Sequence, residues 1–139
     1  MIQQFTFIGV PKAQGRPRFT RRGKFVTTYD PKDSANYKNN VAAQIVAQNP
    51  VLIPQGTPIK LTLGFTLPRP KYHYGAKGLK DRFEFARHVS KPDLDNLEKA
   101  VKDAMTGIVW HDDSQVYFTV KEKVYGNEPK VCITVETEV

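Results

Sequence analysis

Between Pro92 and Gly107 the chain carries one apolar stripe at helical spacing, and the period changes abruptly after it. Leu94, Leu97, Val101 and Met105 recur every three or four residues, so a helix over 93–106 presents one continuous apolar face. Pro92 before it and Gly107 after it act as start and stop signals. After the short apolar run IVW, the stretches QVYFTVKEKVYG and KVCITVETEV alternate apolar and polar residues, the period of half-buried strands. A helix with a single apolar face must bury it against something, and a sheet built from such strands offers that surface.

The remaining segments extend the same plan. Residues 3–9 alternate as a strand, and GKFVTTY reads as a second strand or ribbon paired nearby, with the arginine-rich segment before it as the loop of a hairpin. Residues 33–48 place Tyr37, Val41 and Ile45 at helical spacing, with Asp33 and Ser34 as a cap and Asn49-Pro50 as a stop. PIKLTLGFTL, 58–67, alternates as a strand. Residues 68–91 show no period and are expected to form a loop that orders with ligand. The two alternating stretches at the end, separated by NEP, predict an antiparallel pair. Strands and helices mix without a regular βαβ rhythm, and no linker or composition break divides the chain. The expectation is an α+β class, one domain over 1–139, with a small mixed or antiparallel sheet packed against two main helices.

The charge is uneven. The formal net charge is +7, yet residues 11–25 hold six Lys/Arg and no acid, and residues 69–91 hold seven against Asp81 and Glu84, so the rest of the chain is net acidic. One basic segment is as often a solvated loop as a binding surface. Two of them, interleaved with Phe19, Phe25, Tyr72, Tyr74, Phe83 and Phe85, point to a polyanion, since cations neutralise phosphates while flat rings stack on exposed bases. The candidate DNA contacts are Lys12, Arg16, Arg18, Arg21, Arg22, Arg69, Lys71, Lys77 and Lys80. Tyr72 and Tyr74 either stack on unpaired bases or pack the loop to the body. MIQQFTFIGV reads as an opening strand and not as a leader, and no apolar run approaches the roughly 18 residues a membrane span requires. Cys132, the one cysteine, cannot form an internal disulfide and is expected as a buried or half-buried reduced thiol in the cytoplasm.

Against this basic background the segment KPDLDNLEKAVKDAMTGIVWHDDSQV gathers two pairs of acids, Asp93 with Asp95 and Asp112 with Asp113. Each has a structural explanation. Asp93 or Asp95 can cap the helix, Asp95 and Glu98 have capping-box spacing, Asp95 and Lys99 stand four apart, and Asp112 and Asp113 suit a turn. Together they suggest more. At a helix start two carboxylates two residues apart can turn into one space, and Asp113 on the returning chain is a candidate third ligand for an oxygen-seeking divalent cation. Phosphodiester hydrolysis uses such a cation, and Lys99, one turn beyond Asp95, is placed to orient water or neutralise phosphate oxygens.

At these residues the chain resembles the RusA-type Holliday junction resolvases of bacteria and prophages. The resemblance rests on that 26-residue segment, on PKAQGRPRF, which is similar to the Lys-x-x-x-Arg-Pro-Arg region of many relatives, and on VKEKVYGNEPKVCITVE. It implies a Mg²⁺-dependent endonuclease (Mn²⁺ as an alternative) that nicks opposed strands of a four-way DNA junction in recombination and repair. It implies a homodimer, as paired symmetric cuts also require. Position by position, Asp93, Asp95 and Asp113 match the family's essential acids and Lys99 its important lysine. Asp112 matches the first acid of the second pair.

Other features are less directed. His73, His88 and His111 lack zinc-site spacing. His111 reads as solvent-facing or supporting, and Trp110 as core. A rival nuclease pattern joins Pro92-Asp93 to Glu128-Pro129-Lys130, but proline interrupts the strand that would present it. A non-catalytic branched-DNA-binding module accounts for the basic segments equally well, though not for both acid pairs with Lys99.

Overall fold

The structure, a computed structural model, describes residues 1–15, 18–22, 25–29 and 32–138, with the ribbon of 18–29 described in its backbone. In chain order the elements are β1 (Ile2–Ile8), β2 (Arg18–Arg22), β3 (Phe25–Tyr29), α1 (Lys32–Val46) and β4 (Ile59–Leu67). There follow a 3-10 turn at Lys71–His73, β5 (Tyr74–Gly75), β6 (Gly78–Leu79), a second turn at Asp81–Phe83, α2 (Leu94–Met105), a third turn at Asp113–Gln115, β7 (Val116–Tyr125) and β8 (Lys130–Thr137).

The main sheet runs β1-β8-β4-β7, with β8 antiparallel to both neighbours and β4 parallel to β7. β7 and β8 therefore do not form the antiparallel pair their alternation and short connection predicted. β4 lies between them. Its Ile59, Leu61, Leu63, Phe65 and Leu67 are all buried, and a strand this apolar is best covered by a neighbour on each side. The β7–β8 connection crosses its end, where the Gly126 N–H donates to Leu67 O at 3.0 Å.

The arginine-rich segment also departs from its expected place. β1 pairs with β8, while β2 and β3 pair with each other as a separate ribbon. Arg18–Arg22 is thus the ribbon's first strand and not a loop joining β1 to a partner.

Both helices cover one face of the main sheet. Tyr37, Val41 and Ile45 of α1, and Leu97, Ala100, Val101, Ala104 and Met105 of α2, meet the inward residues of β4 and β8 in one core. Each large apolar side chain so buried contributes about 1.5–3 kcal/mol relative to exposure. Trp110 closes the core after α2, fully buried, its indole N–H donating to Thr106 Oγ1 at 3.1 Å. Among the described residues no helix covers the opposite face of the sheet. Val131 and Ile133 point to the helices, so Cys132 between them points away and is exposed, not buried as its alternating context suggested. No helix among the described residues is long and apolar enough to cross a membrane.

Segment 68–91 is more structured than its composition foretold. Arg69 donates to Phe83 O at 2.7 Å and Glu84 O at 3.1 Å and reaches His73 Nδ1 at 3.3 Å. The His73 and Phe83 rings stack at 4.3 Å. One guanidinium thereby satisfies carbonyls that have no ladder to join.

Candidate active site

Asp93 is the N-cap of α2, its Oδ1 accepting the Asn96 N–H at 3.0 Å. This is the capping role the sequence allowed, with Asp93 and not the Asp95–Glu98 pair filling it. Asp95, in the first turn, has its side chain 88% exposed. Asp112 plays the same part for the turn at Asp113–Gln115: it accepts the Ser114 N–H at 2.8 Å, while Gln115 Oε1 accepts the Asp112 N–H at 3.1 Å. The Ser114 N–H holds the Asp112 carboxyl below the usual carboxylate range. Asp113 is exposed in the same turn.

Two residues outside the sequence-predicted set, Lys121 and Lys123, organise the start of α2. The register places Lys121 beside Leu63 and Lys123 beside Phe65, so both lysines face the helices. Lys121 Nζ forms an ion pair with Asp95 Oδ1 and, at 2.6 Å, with Glu98 Oε2, while Glu98 Oε1 lies 3.5 Å from Lys102 Nζ. Lys123 Nζ donates to Ser90 O at 2.7 Å and Pro92 O at 2.9 Å, which holds the chain entering Asp93. The hydrogen bond and then the charge of Lys121 lower the Asp95 pKa against a smaller desolvation effect, with Lys99 assisting. Burial pulls the Lys121 ammonium down, but its bonds to Asp95 and Glu98 outweigh that and leave it raised. A signal for this pair existed in VKEKVY, where the strand alternation would put apolar residues on the inward face and lysines stand instead.

The acids do not meet within one chain. Asp112 and Asp113 line an open cleft with Asp103, Ala104 and Thr106 at the far end of α2 and with Lys38 of α1. Ten helical steps lead from Asp95 to Met105, about 15 Å of rise. The strand gives the same span independently, since the five steps from Val116 to Lys121 cover about 16 Å. Carboxylates sharing one Mg²⁺ bind it at about 2.0–2.1 Å, so side-chain rotation cannot close that gap. Among the described residues no three His, Cys, Asp or Glu side chains form a cluster able to hold a metal. Asp93 and Asp95 suit a hard cation in donor chemistry and exposure, but one chain brings only these two of the three predicted ligands to one place.

The first basic segment and both ends of the second pass the Asp93 end. The Gln14 N–H donates to Asn96 O at 3.0 Å, which carries the segment with exposed Lys12 across the first turn of α2 and leads the chain toward the ribbon. Residues Arg69–Pro70 and Ser90–Pro92 line one groove with Val10 and Pro11, so the second basic segment begins and ends beside the first. Lys71 and Lys77 are exposed and Lys80 is half-buried, whereas Arg69 is engaged with loop carbonyls. Arg16 lies outside the described residues, as do the side chains of Arg18, Arg21 and Arg22. Lys99 is exposed and forms no ion pair among the described residues. His111 is exposed, its N–H donating to Gln115 Oε1 at 3.0 Å, while His73 and His88 are buried. Glu128 is exposed in the β7–β8 connection.

Comparison with known proteins finds relatives over almost the whole chain. A family model described as Endodeoxyribonuclease RusA matches residues 9–136. The chain is 37% identical over 134 residues to YqaN of Bacillus subtilis strain 168, described as uncharacterised, covering 95% of this chain and 94% of that protein. It is 31% identical over 134 residues to a protein of Lactococcus phage r1t named crossover junction endodeoxyribonuclease rusA, covering 94% of this chain and 86% of the relative.

Proposed function

The chain belongs to the RusA endodeoxyribonuclease family, and from that premise we propose that it is a divalent-metal-dependent endonuclease resolving four-way DNA junctions by paired, symmetric nicks. The observation that carries this reading is the convergence of segment 11–15 and of both ends of segment 69–91 on the helix end that holds Asp93 and Asp95. A cationic surface holds the DNA backbone there, and the carboxylates lie where a phosphate arrives.

The separation of Asp113 calls for a second copy. β7 is an edge strand, and Tyr117, Phe118 and Val120 near its start are exposed. Two β7 edges paired antiparallel about Phe118 join backbone groups along that edge and cover those side chains. This pairing sets the partner subunit's Asp113 level with Lys123, at the end where Asp93 and Asp95 lie. The homodimer then has two equivalent sites, each with Asp93 and Asp95 from one chain and Asp113 of the partner subunit as the residues that would hold Mg²⁺ or Mn²⁺. When bound, such a cation activates water and offsets charge growing on the phosphate. The chain's own groups do the rest: Asp93 fixes the helix start, Lys123 fixes the backbone before it, and the exposed Lys99 ammonium is available to the phosphate.

One observation favours a non-catalytic junction-binding module. Asp93 and Asp112 already serve as caps, and Asp95 already has a lysine partner. Cleavage of an end-labelled four-way junction beside a matched duplex, with Mg²⁺ or with EDTA, separates the two. Symmetric, metal-dependent nicks in the junction alone are expected; tight binding without nicks in Mg²⁺ or Mn²⁺ refutes the nuclease.

A further inference from the structure

Between the two basic segments lies a groove of about 470 Å³, within the range that holds small organic ligands. Pro11, Pro68, Pro70 and Pro92 form much of its wall. Proline rings present apolar surface, have no N–H to satisfy and hold the backbone stiffly, so the groove is preformed. Tyr125 and His88 line it, their rings 4.9 Å apart, and the Arg69 guanidinium lies 5.7 Å from the Tyr125 ring on its way to the loop carbonyls. Burial, reinforced by Lys123, keeps the His88 imidazole below its usual pKa and therefore neutral near pH 7. The wall is thus mainly aromatic and apolar, and its one guanidinium, Arg69, is engaged with loop carbonyls.

The mouth differs. Tyr72 stands there 61% exposed, held by edge-on contacts to His73 at 4.8 Å and Phe83 at 5.4 Å. Ser90 and exposed Lys91 form the side nearest Asp93, and the bonds from Lys123 to Ser90 O and Pro92 O fix that side relative to Asp93.

A flat neutral body fits the wall and an attached anion fits the mouth. We infer that this groove seats one unpaired nucleobase of branched DNA, stacked against Tyr72, with its phosphate directed past Lys91 toward Asp93. Bases within a duplex have both faces covered by neighbours, whereas a branch point offers a base that unstacks at lower cost. The groove would then distinguish junction from duplex at the step that places the phosphate at the acids. This rests on the junction-nuclease reading and extends it from the acids to the element that selects the substrate.

The test is a binding cycle in EDTA with the full chain, pairing wild type and Tyr72→Ala with intact junctions and with junctions lacking single bases at the branch point. Loss of a stacked base typically weakens binding by about tenfold. Tyr72→Ala should weaken intact-junction binding by about that factor, leave duplex binding unchanged, and add nothing once the seated base is missing. Tyr72→Phe, which keeps the stacking face, should restore the coupling. If Tyr72→Ala weakens intact and every abasic junction equally, or weakens duplex as much, the groove seats no base even though the protein binds junctions. If wild type does not prefer junctions to duplex, the underlying reading fails first.

Discussion

If each site draws Asp113 from the partner subunit, two inactive variants should rescue one another. Asp93→Asn and Asp113→Asn homodimers are each expected to lack cleavage, since every site lacks one acid. In a heterodimer of the two, one site carries both substitutions and the other carries neither. Random exchange in an equal mixture makes half of the dimers mixed, each with one intact site of two, so about a quarter of the wild-type sites return. The magnitude follows from the roughly 15 Å that separates the helix start from Asp113 within a chain, too far for a shared cation about 2 Å from each ligand. The assay is nicking of an end-labelled junction after incubating the variants separately and together. Mixed dimers should leave single nicks and few paired ones. No activity in the mixture, with exchange shown by a size tag on one chain, would refute the shared site and return all three acids to a single chain.

Asp95→Asn should abolish cleavage in Mg²⁺ while junction binding persists or tightens, because a charge that repels phosphate is removed; cleavage at the wild-type rate would show that Asp95 is not in the site. Lys121→Met should lower the thermal midpoint of the metal-free protein near pH 6. Because the Asp95 carboxyl is depressed in the fold, the stabilisation from its pairing is present above the unfolded carboxylate pKa of about 3.9 and is lost as pH falls through the lower folded value. The gap between wild type and variant should therefore shrink from about pH 6 to about pH 3 in melting curves, and a constant gap would deny the pairing any role in solution. Leu97→Ala, beneath the helix turn that carries the acids, should cost about 2–5 kcal/mol in urea denaturation, as a fully buried side chain leaves a cavity; a change within experimental error would place Leu97 outside the core.

Local periodicity and local chemistry were enough to locate α2, its apolar stripe and its cap, because a helix bonds within itself and its start and stop signals lie a few residues away. The same holds for the core face of α1 and for the spacing of Asp93, Asp95 and Lys99. Strand partners are a different matter. Alternation tells which residues share a face but not which strand lies alongside, so the insertion of β4 between β7 and β8 was decided by which strand had the most apolar surface to cover. Cys132 shows the same limit at one residue, since the face left bare depends on where both helices dock. Lys121 and Lys123 meet the helix start across more than twenty residues of chain, a contact that exists only because β7 lies parallel to β4 and antiparallel to α2. That reversal of direction also carries Asp113 to the far end of α2. The sequence by itself determined which acids and lysines the protein has and which helix presents them, while the path of the chain decided that a single copy leaves them apart.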